Sequence, residues 1–505
     1  MNPQIKLSNK SPIQNVFLLQ LSQQTVTSLV TSMRILEILI IIFLILLSIQ
    51  FFLPSTIGKQ KKGTVMGIVS VAGVVTFLLH ILFEGMRWQI IPVYIPTLIL
   101  FIWGVYKLVI IYRIQTGAIP EPEMASPRKK LGIAVLILTI MLVGSTLFID
   151  SLLPVFLLPQ PSGEYSIGTV TFELTDNNRN ETFTEPPNDH RKILIKAWYP
   201  SDDVAGYAMA PYVDAPEQFG IGVQQSWGFP SIIVSHFPLV KTHSYVNAPL
   251  SQSESDYPVL IFSHGYGGVI MQDTVLMEEL ASNGYIVFSI SHSYEAMVTS
   301  FPDGSVIYEA TEEMYADIYN SLQIWANDTV FLVDQLEIVD NPDIPSIFHD
   351  GMDLTSIGAL GHSFGGTTAE EVALTDARID VGISFDSPHG ERARTMNMTK
   401  PFMLLFGPDY GNPYMNDPVY LNSTNTCYGL YVNGTRHYNF ADINVWTPLF
   451  RSFGLLGSID GYRMLQILND YVLAFFDEHL KGIESTLLDG PSTTYPEVLF
   501  FGKNL

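Results

Sequence analysis

The chain has 505 residues, 26 Lys+Arg against 49 Asp+Glu and a formal net charge of −23, enough length for one large domain and a substantial extra region. So acidic a surface repels phosphate and excludes nucleic acid as a partner. Cys427 is the only cysteine, which excludes an intrachain disulfide and a cysteine-based metal site.

The charge is unevenly spread. Residues 1–150 hold 12 Lys+Arg against 5 Asp+Glu, and residues 151–505 hold 14 against 44, which marks a boundary near residue 150. Before it lie four apolar stretches: Ile35 to Leu53, Thr64 to Phe83, Ile90 to Tyr112 and Leu131 to Ile149. Each is about the ~20 residues that cross ~30 Å of hydrocarbon as a helix. The reading is therefore a polar segment, 1–34, then four transmembrane helices within 35–150 that hold the protein in a lipid bilayer. The first run is too long for a cleaved signal peptide, and three more follow it. Met33, just before it, offers an alternative start.

Lys59, Lys61 and Lys62 lie in the first connection and Arg113, Arg128, Lys129 and Lys130 in the third, whereas the second has only Arg87. Basic connections stay cytoplasmic. This predicts a multi-pass protein of the cell membrane with everything after Ile149 on the extracellular side. Glu37, His80, Glu84 and Lys107 fall in or at the edges of the spans. Near span ends, side chains are expected to snorkel to the interface rather than form a transport path.

Residues 151–505 form the acidic domain. Gly168 to Leu174 and Ile193 to Trp198 alternate as strands do and are separated by turn-forming residues, the pattern of an antiparallel hairpin. Between Pro200 and Asp256 no period holds. Tyr207, Tyr212, Phe219, Trp227, Phe229 and Phe237 there either line an apolar cleft or pack beneath a long loop. From Tyr257 onward apolar strands alternate with helices. Strands are expected at Val259–Ser263, Tyr285–Ile290, Ile357–Leu360, Val381–Phe385, Phe402–Phe406 and Gly429–Val432. Helices are expected near Gln272–Ser282, Thr311–Ile324, Asp328–Ile338 and Leu465–Leu480. Such alternation means βαβ units around a buried, mostly parallel sheet.

One turn carries chemistry. Gly361-His362-Ser363-Phe364-Gly365-Gly366 joins a short apolar strand to a helix, the setting in which Gly-x-Ser-x-Gly exposes a strained serine hydroxyl. Ser363 is the candidate nucleophile of an α/β-hydrolase fold. A serine needs a base, and the base needs an acid to hold its tautomer. In this fold they follow the serine in the order acid, histidine. Of the downstream histidines, His437 follows a strand in a short loop, His389 is too near the candidate acids, and His479 lies in the last helix. Asp386 and Asp409 each end a strand, and both remain open as the acid, with the later position mildly favoured by the pattern alone. The oxyanion of an acyl transfer would be met by the Phe364 amide and one from His264-Gly265-Tyr266-Gly267, that of Tyr266. His264 and His362 sit within tight turns and read as packing groups.

Phe262-Ser263-His264-Gly265, Gly361 to Gly366, Phe385-Asp386 and His437-Tyr438-Asn439-Phe440-Ala441-Asp442 together resemble the platelet-activating factor acetylhydrolase family, plasma and type II branch. The resemblance runs from about Gly168 to Leu480 and leaves out the spans. It implies a triad of Ser363, Asp386 and His437, with the Tyr266 and Phe364 amides as oxyanion hole, and so selects Asp386 over Asp409. It also implies calcium-independent hydrolysis of short or oxidised acyl chains from phospholipids. Tyr266-Gly267-Gly268 and the preceding loop depart from the family, so acyl preference is not carried over.

The expectation is a membrane-anchored serine ester hydrolase that uses no metal or other cofactor and has no obligate protein partner. The alternatives are a general esterase or peptidase on non-lipid substrates, and a non-catalytic binding module on the same fold.

Overall fold

The structure, a computed structural model, describes residues 33–49, 59–120, 129–184, 189–310, 318–410 and 416–503. The N-terminal segment to residue 32, the last residues of the expected first span, Arg128 and the start of the helix expected from Thr311 lie outside the described residues. The chain divides into two compact units, Met1–Phe156 and Leu157–Leu505.

The first unit is helical: α1 (Ile35–Ile49), α2 (Lys59–Phe83), α3 (Ile91–Gln115) and α4 (Lys129–Leu152). Among the described residues three helices are long and apolar enough to cross a membrane: Gly63–Phe83, Trp88–Gln115 and Lys130–Leu152. Of the four expected spans, the first is described only as the 15 residues of α1 as far as Ile49, short of the about 20 that a span needs, and the rest of it, to Leu53, lies outside the described residues. Small residues let the helices approach. A Cβ on Gly104 of α3 would lie 1.9 Å from Ser70 Oγ of α2, and one on Gly67 would lie 2.1 Å from Leu108 Cγ.

Ionisable residues concentrate inside this unit, which corrects the snorkelling expectation for Glu37 and His80. Both are fully buried, as are Arg87 and Asp150. Glu37 accepts from Arg87 Nη2 at 2.7 Å and from Arg34 Nη2 at 2.7 Å. On its other side Arg87 meets Asp150 at 2.5 Å. His80 Nδ1 lies 3.0 Å from Glu84 Oε2. The physical reason is pairing: a carboxylate met by guanidinium groups within the bundle need not reach for the interface. Arg87 is thus spent on internal partners, which leaves its connection without a free basic charge. Lys107 is half-buried, its ammonium 5.5 Å from the centre of the Trp103 ring.

In the second unit, eleven strands among the described residues form one sheet in the order β13-β12-β11-β10-β9-β5-β6-β2-β1-β4-β3. These are β1 (Ser166–Asn180), β2 (His190–Ser201), β3 (Met209–Pro211), β4 (Lys241–Val246), β5 (Tyr257–Ser263), β6 (Ile286–Ser291), β9 (Met352–His362), β10 (Ile379–Phe385), β11 (Phe402–Phe406), β12 (Cys427–Val432) and β13 (Val498–Lys503); β7 (Val298–Ser300) and β8 (Val306–Tyr308) form a separate hairpin. From β6 to β12 neighbours are parallel, and β2 and β13 add antiparallel pairs on either side. The expected opening hairpin is β1 with β2.

Both faces of the parallel strands are covered, so alternate residues enter two cores. Along β5, Val259 and Ile261 pack on one face with Leu332 and Val333 of α7 (Ile318–Leu336) and Val372 of α8 (Phe364–Thr375). Leu260 and Phe262 pack on the other face with Leu280 of α6 (Thr274–Ser282) and with Leu468 and Phe475 of α9 (Gly461–Phe476). Each such side chain contributes about 1.5–3 kcal/mol of burial. The two helices expected over Thr311–Ile324 and Asp328–Ile338 are one, α7, because no Gly or Pro interrupts 318–336. The last helix starts earlier than expected, at Gly461, and a wider turn, Asp477–Lys481, follows it.

The ion network of the first unit is testable. Glu37→Ala leaves the buried guanidinium of Arg87 and the partly exposed one of Arg34 undercompensated and should cost about 3–5 kcal/mol. Calorimetry of the full chain in detergent should show its first transition at markedly lower temperature, whereas Lys107→Ala should change stability by less than about 0.5 kcal/mol.

Candidate active site

Chain order decides where strand ends gather. From β5 the sheet grows one way to β6 and the other way to β9, β10, β11 and β12, so the strand order reverses between β5 and β9. Crevices form at the carboxyl ends of strands at such a point. Register aligns those ends: Ser263 pairs with Gly361, and Phe385 with His362.

Ser363 lies between β9 and α8 with φ 54° and ψ −122°, a left-handed φ rare for a side chain. The turn closes only with glycine around it. A Cβ on Gly361 would lie 2.3 Å from the carbonyl carbon of Gly365, and one on Gly365 would lie 2.0 Å from the carbonyl oxygen of Ser263. The Ser363 amide donates to Phe385 O at 2.8 Å, which ties the elbow to β10.

His437 opens a short turn, His437–Phe440, after β12. Its Nε2 lies 2.9 Å from Ser363 Oγ and its Nδ1 2.8 Å from Asp386 Oδ2. A carboxylate only accepts, so Nδ1 carries the proton and Nε2 is left to receive one from the serine. Asp386 is fully buried just past β10, its other oxygen accepting from the Gly407 amide at 2.9 Å. Asp409 instead accepts from the backbone amide of His437 at 2.8 Å. Of the two candidate acids, Asp386 meets the imidazole and Asp409 holds the loop that carries it. The Phe364 amide begins α8, whose first-turn amides have no partner within the helix.

The loop after β5 approaches from the other side. An added Cβ on Gly265 would lie 3.4 Å from Ser363 Cβ. Gly265 O accepts from the Gly268 amide at 2.8 Å. Because a trans peptide sets its C=O and N–H in opposite directions, this turns the Tyr266 amide away from Gly268. His264 is buried and meets Trp325 edge to face, ring centres 5.0 Å apart. Burial and nearby His292 push its pKa down to about 3, so it is a neutral packing group. Burial, with His437 adjacent, likewise holds His362 well below its usual range.

Phe219, Trp227, Met297 and Trp446 wall the cavity over Ser363. Four of the six aromatic residues named in the irregular region divide between the two expected roles, while Tyr207 is exposed and Phe229 stacks on Phe453 at 6.4 Å. Phe219 and Trp227 of α5 (Pro216–Trp227) line the cavity, while Tyr212 and Phe237 pack behind them against Trp446 at 6.4 and 5.2 Å. Sequence reasoning missed Trp446, Met297 and Gln272 in the lining; none lies in a motif or keeps a period that would single it out. His389 is held between Glu370 at 2.9 Å and Asp417 at 2.6 Å, apart from the Ser363 contacts. Among the described residues no group of three or more His, Cys, Asp or Glu side chains is arranged to hold a metal ion.

The parallel sheet, elbow and converging strand ends define an α/β-hydrolase. The sequence matches the family described as Platelet-activating factor acetylhydrolase, isoform II, over residues 154–320 and 333–487, and the chain belongs to that family. It is 26% identical over 385 residues to an Arthroderma benhamiae protein described as a probable 1-alkyl-2-acetylglycerophosphocholine esterase, covering 68% of this chain and 94% of that one. It is 23% identical to the platelet-activating factor acetylhydrolase of Canis lupus familiaris, covering 64% and 77%. Among solved structures, a ferulic acid esterase from Streptomyces cinnamoneus superposes with a TM-score of 0.57 at 29% identity, covering 68% of this chain and 98% of that one. The chain is an esterase of this family, preceded by helices suited to membrane association.

His389 gives a pH prediction. Burial opposes its charge, but Glu370 and Asp417 outweigh that and raise it to about 10. A group raised on folding stabilises fully below its unfolded value, near 6.5, and loses that contribution as pH climbs toward the folded value. Stability should therefore fall between about pH 6.5 and 10, and denaturant midpoints for His389→Gln should show much less decline across that window.

Proposed function

We propose that the protein is a membrane-anchored serine carboxylic ester hydrolase acting through Ser363, His437 and Asp386. The observation that carries the reading is the unbroken chain from Ser363 Oγ through both imidazole nitrogens to a buried carboxylate. His437 Nε2 takes the serine proton as Oγ bonds to the ester carbon, and the Tyr266 and Phe364 amides receive the oxyanion. The intermediate collapses, His437 returns the proton to the leaving alcohol, and an acyl-enzyme forms. Water, deprotonated by His437, then releases the acid. The proposed chemistry draws only on side chains, amides and water.

The substrate class we infer is a phospholipid bearing a short or oxidised acyl chain. The family and the printed activity of the Arthroderma relative favour it, and so does an acyl cavity walled by Phe219, Trp227 and Trp446. The three candidate spans would hold the domain at a lipid surface. The basic residues at the start of α2 (Lys59, Lys61 and Lys62), near the end of α3 (Arg113) and at the start of α4 (Lys129 and Lys130) fall at one end of the spans, which favours an extracellular domain at the other. A second reading, a general esterase on aromatic non-lipid esters, is favoured by the likeness to the ferulic acid esterase.

The test is kinetic. Ser363→Ala should abolish p-nitrophenyl acetate hydrolysis with an unchanged circular dichroism spectrum. Asp386→Asn should lower kcat by roughly 10⁴-fold, whereas Asp409→Asn should cost far less. An acyl-length series on phospholipids beside methyl ferulate separates the two substrate classes; turnover retained by Ser363→Ala refutes the mechanism.

A further inference from the structure

Gln272 lies just before α6, outside every motif in the sequence, yet it reaches three parts of the site. Its Oε1 accepts from the Gly265 amide at 3.1 Å. Its Nε2 is 3.0 Å from His362 Nδ1 and 3.1 Å from Asp273 Oδ2. His362 Nε2 is in turn 2.9 Å from the carbonyl oxygen of His437. A carbonyl accepts only, so His362 carries its proton on Nε2 and presents Nδ1 as an acceptor. That matches a neutral ring and requires a donor, which the Gln272 amide supplies.

The bonding leaves one arrangement. Both amide hydrogens have acceptors and the amide oxygen has a donor; flipping the amide would set NH₂ against the Gly265 N–H and oxygen against an acceptor nitrogen and a carboxyl. The backbone adds a fourth tie, since Gln272 O accepts from the Asp442 amide at 3.0 Å, five residues beyond His437. The loop is shaped to admit this side chain: a Cβ on Gly268 would lie 2.4 Å from Gln272 Oε1.

We propose that Gln272 is a positioning residue for the hydrolysis, coupling the loop that presents the Tyr266 amide, the elbow through His362, and the backbone of the general base. This rests on the serine hydrolase reading above. The amide links the oxyanion loop and the base by hydrogen bonds alone, so its loss loosens their relative placement while leaving each element folded. Both acylation and deacylation build charge on the same oxygen, so kcat should fall while substrate binding is little changed.

The experiment compares the full-length chain in detergent with Gln272→Met, which keeps the length and removes all three side-chain bonds. Competent sites are counted by exhaustive fluorophosphonate labelling, so that misfolded material drops out of the rates. Per labelled site, kcat for p-nitrophenyl acetate should fall roughly 10- to 100-fold, with KM within about two-fold. The inhibition constant of a trifluoromethyl ketone, whose adduct places an oxyanion in the hole, should rise by a similar factor. A kcat per labelled site within two-fold of the parent overturns the proposal. So does a fall in kcat with an unchanged ketone constant, or a rise in KM alone. A parent that neither turns over ester nor labels at Ser363 overturns the hydrolase reading itself; an active, labelled parent beside an unimpaired variant overturns only the role of Gln272.

Discussion

The arrangement around Ser363 depends on a backbone contact. The elbow packs so closely on the end of β5 that a Cβ on Gly365 would lie 2.0 Å from Ser263 O. That approach brings the loop carrying Gly265 and Tyr266 beside the serine, since both leave adjacent strands at one level. A side chain at Gly365 would separate the serine from that loop. The strained φ of Ser363 is the cost, offset by an amide bond to β10 and a helix that starts one residue later.

Beneath that contact the protein buries charge in closed sets. Arg191 meets Asp328 at 2.7 Å and Glu181 at 3.1 Å, and Asp328 also receives Arg179 and His292. Burial works against ionised Asp328, but Arg191, His292 and Arg179 together outweigh it and hold the carboxyl low. His292 lies 3.1 Å from Ser263 Oγ, so this hub bears on the last residue of β5. In the helical unit the set of Arg34, Glu37, Arg87 and Asp150 follows the same rule. Removing one member of such a set costs more than the set contributes, because the remaining charge has no water to turn to.

Asp386 and Asp409 show how similar sequence positions acquire different work. Both end strands, and pattern alone leans toward the later one. The chain after β10 turns at Asp386 with φ 46° and sets its buried carboxyl against Nδ1 of His437, whereas Asp409, one strand further on, meets the backbone amide of His437. Which carboxyl faces Nδ1 is set by the direction in which each strand end turns.

Much was legible in the residues themselves. The alternation from Tyr257 onward required a covered parallel sheet, and the order Ser363, acid, His437 suited an elbow at its edge. The charge contrast near residue 150 separated an apolar helical region from an acidic domain. These features are local: periodicity, glycine where a turn leaves no room, and runs long enough for hydrocarbon. The partners of buried polar groups were not legible. Glu37 read as a span-end residue until α1 set it against Arg87, about fifty positions away, and Gln272 carried no signal until folding placed Gly265 and His362 around its amide. A hydrogen bond between distant segments leaves no period in either, so the elements could be read from the chain, while the company their polar side chains keep was decided only in three dimensions.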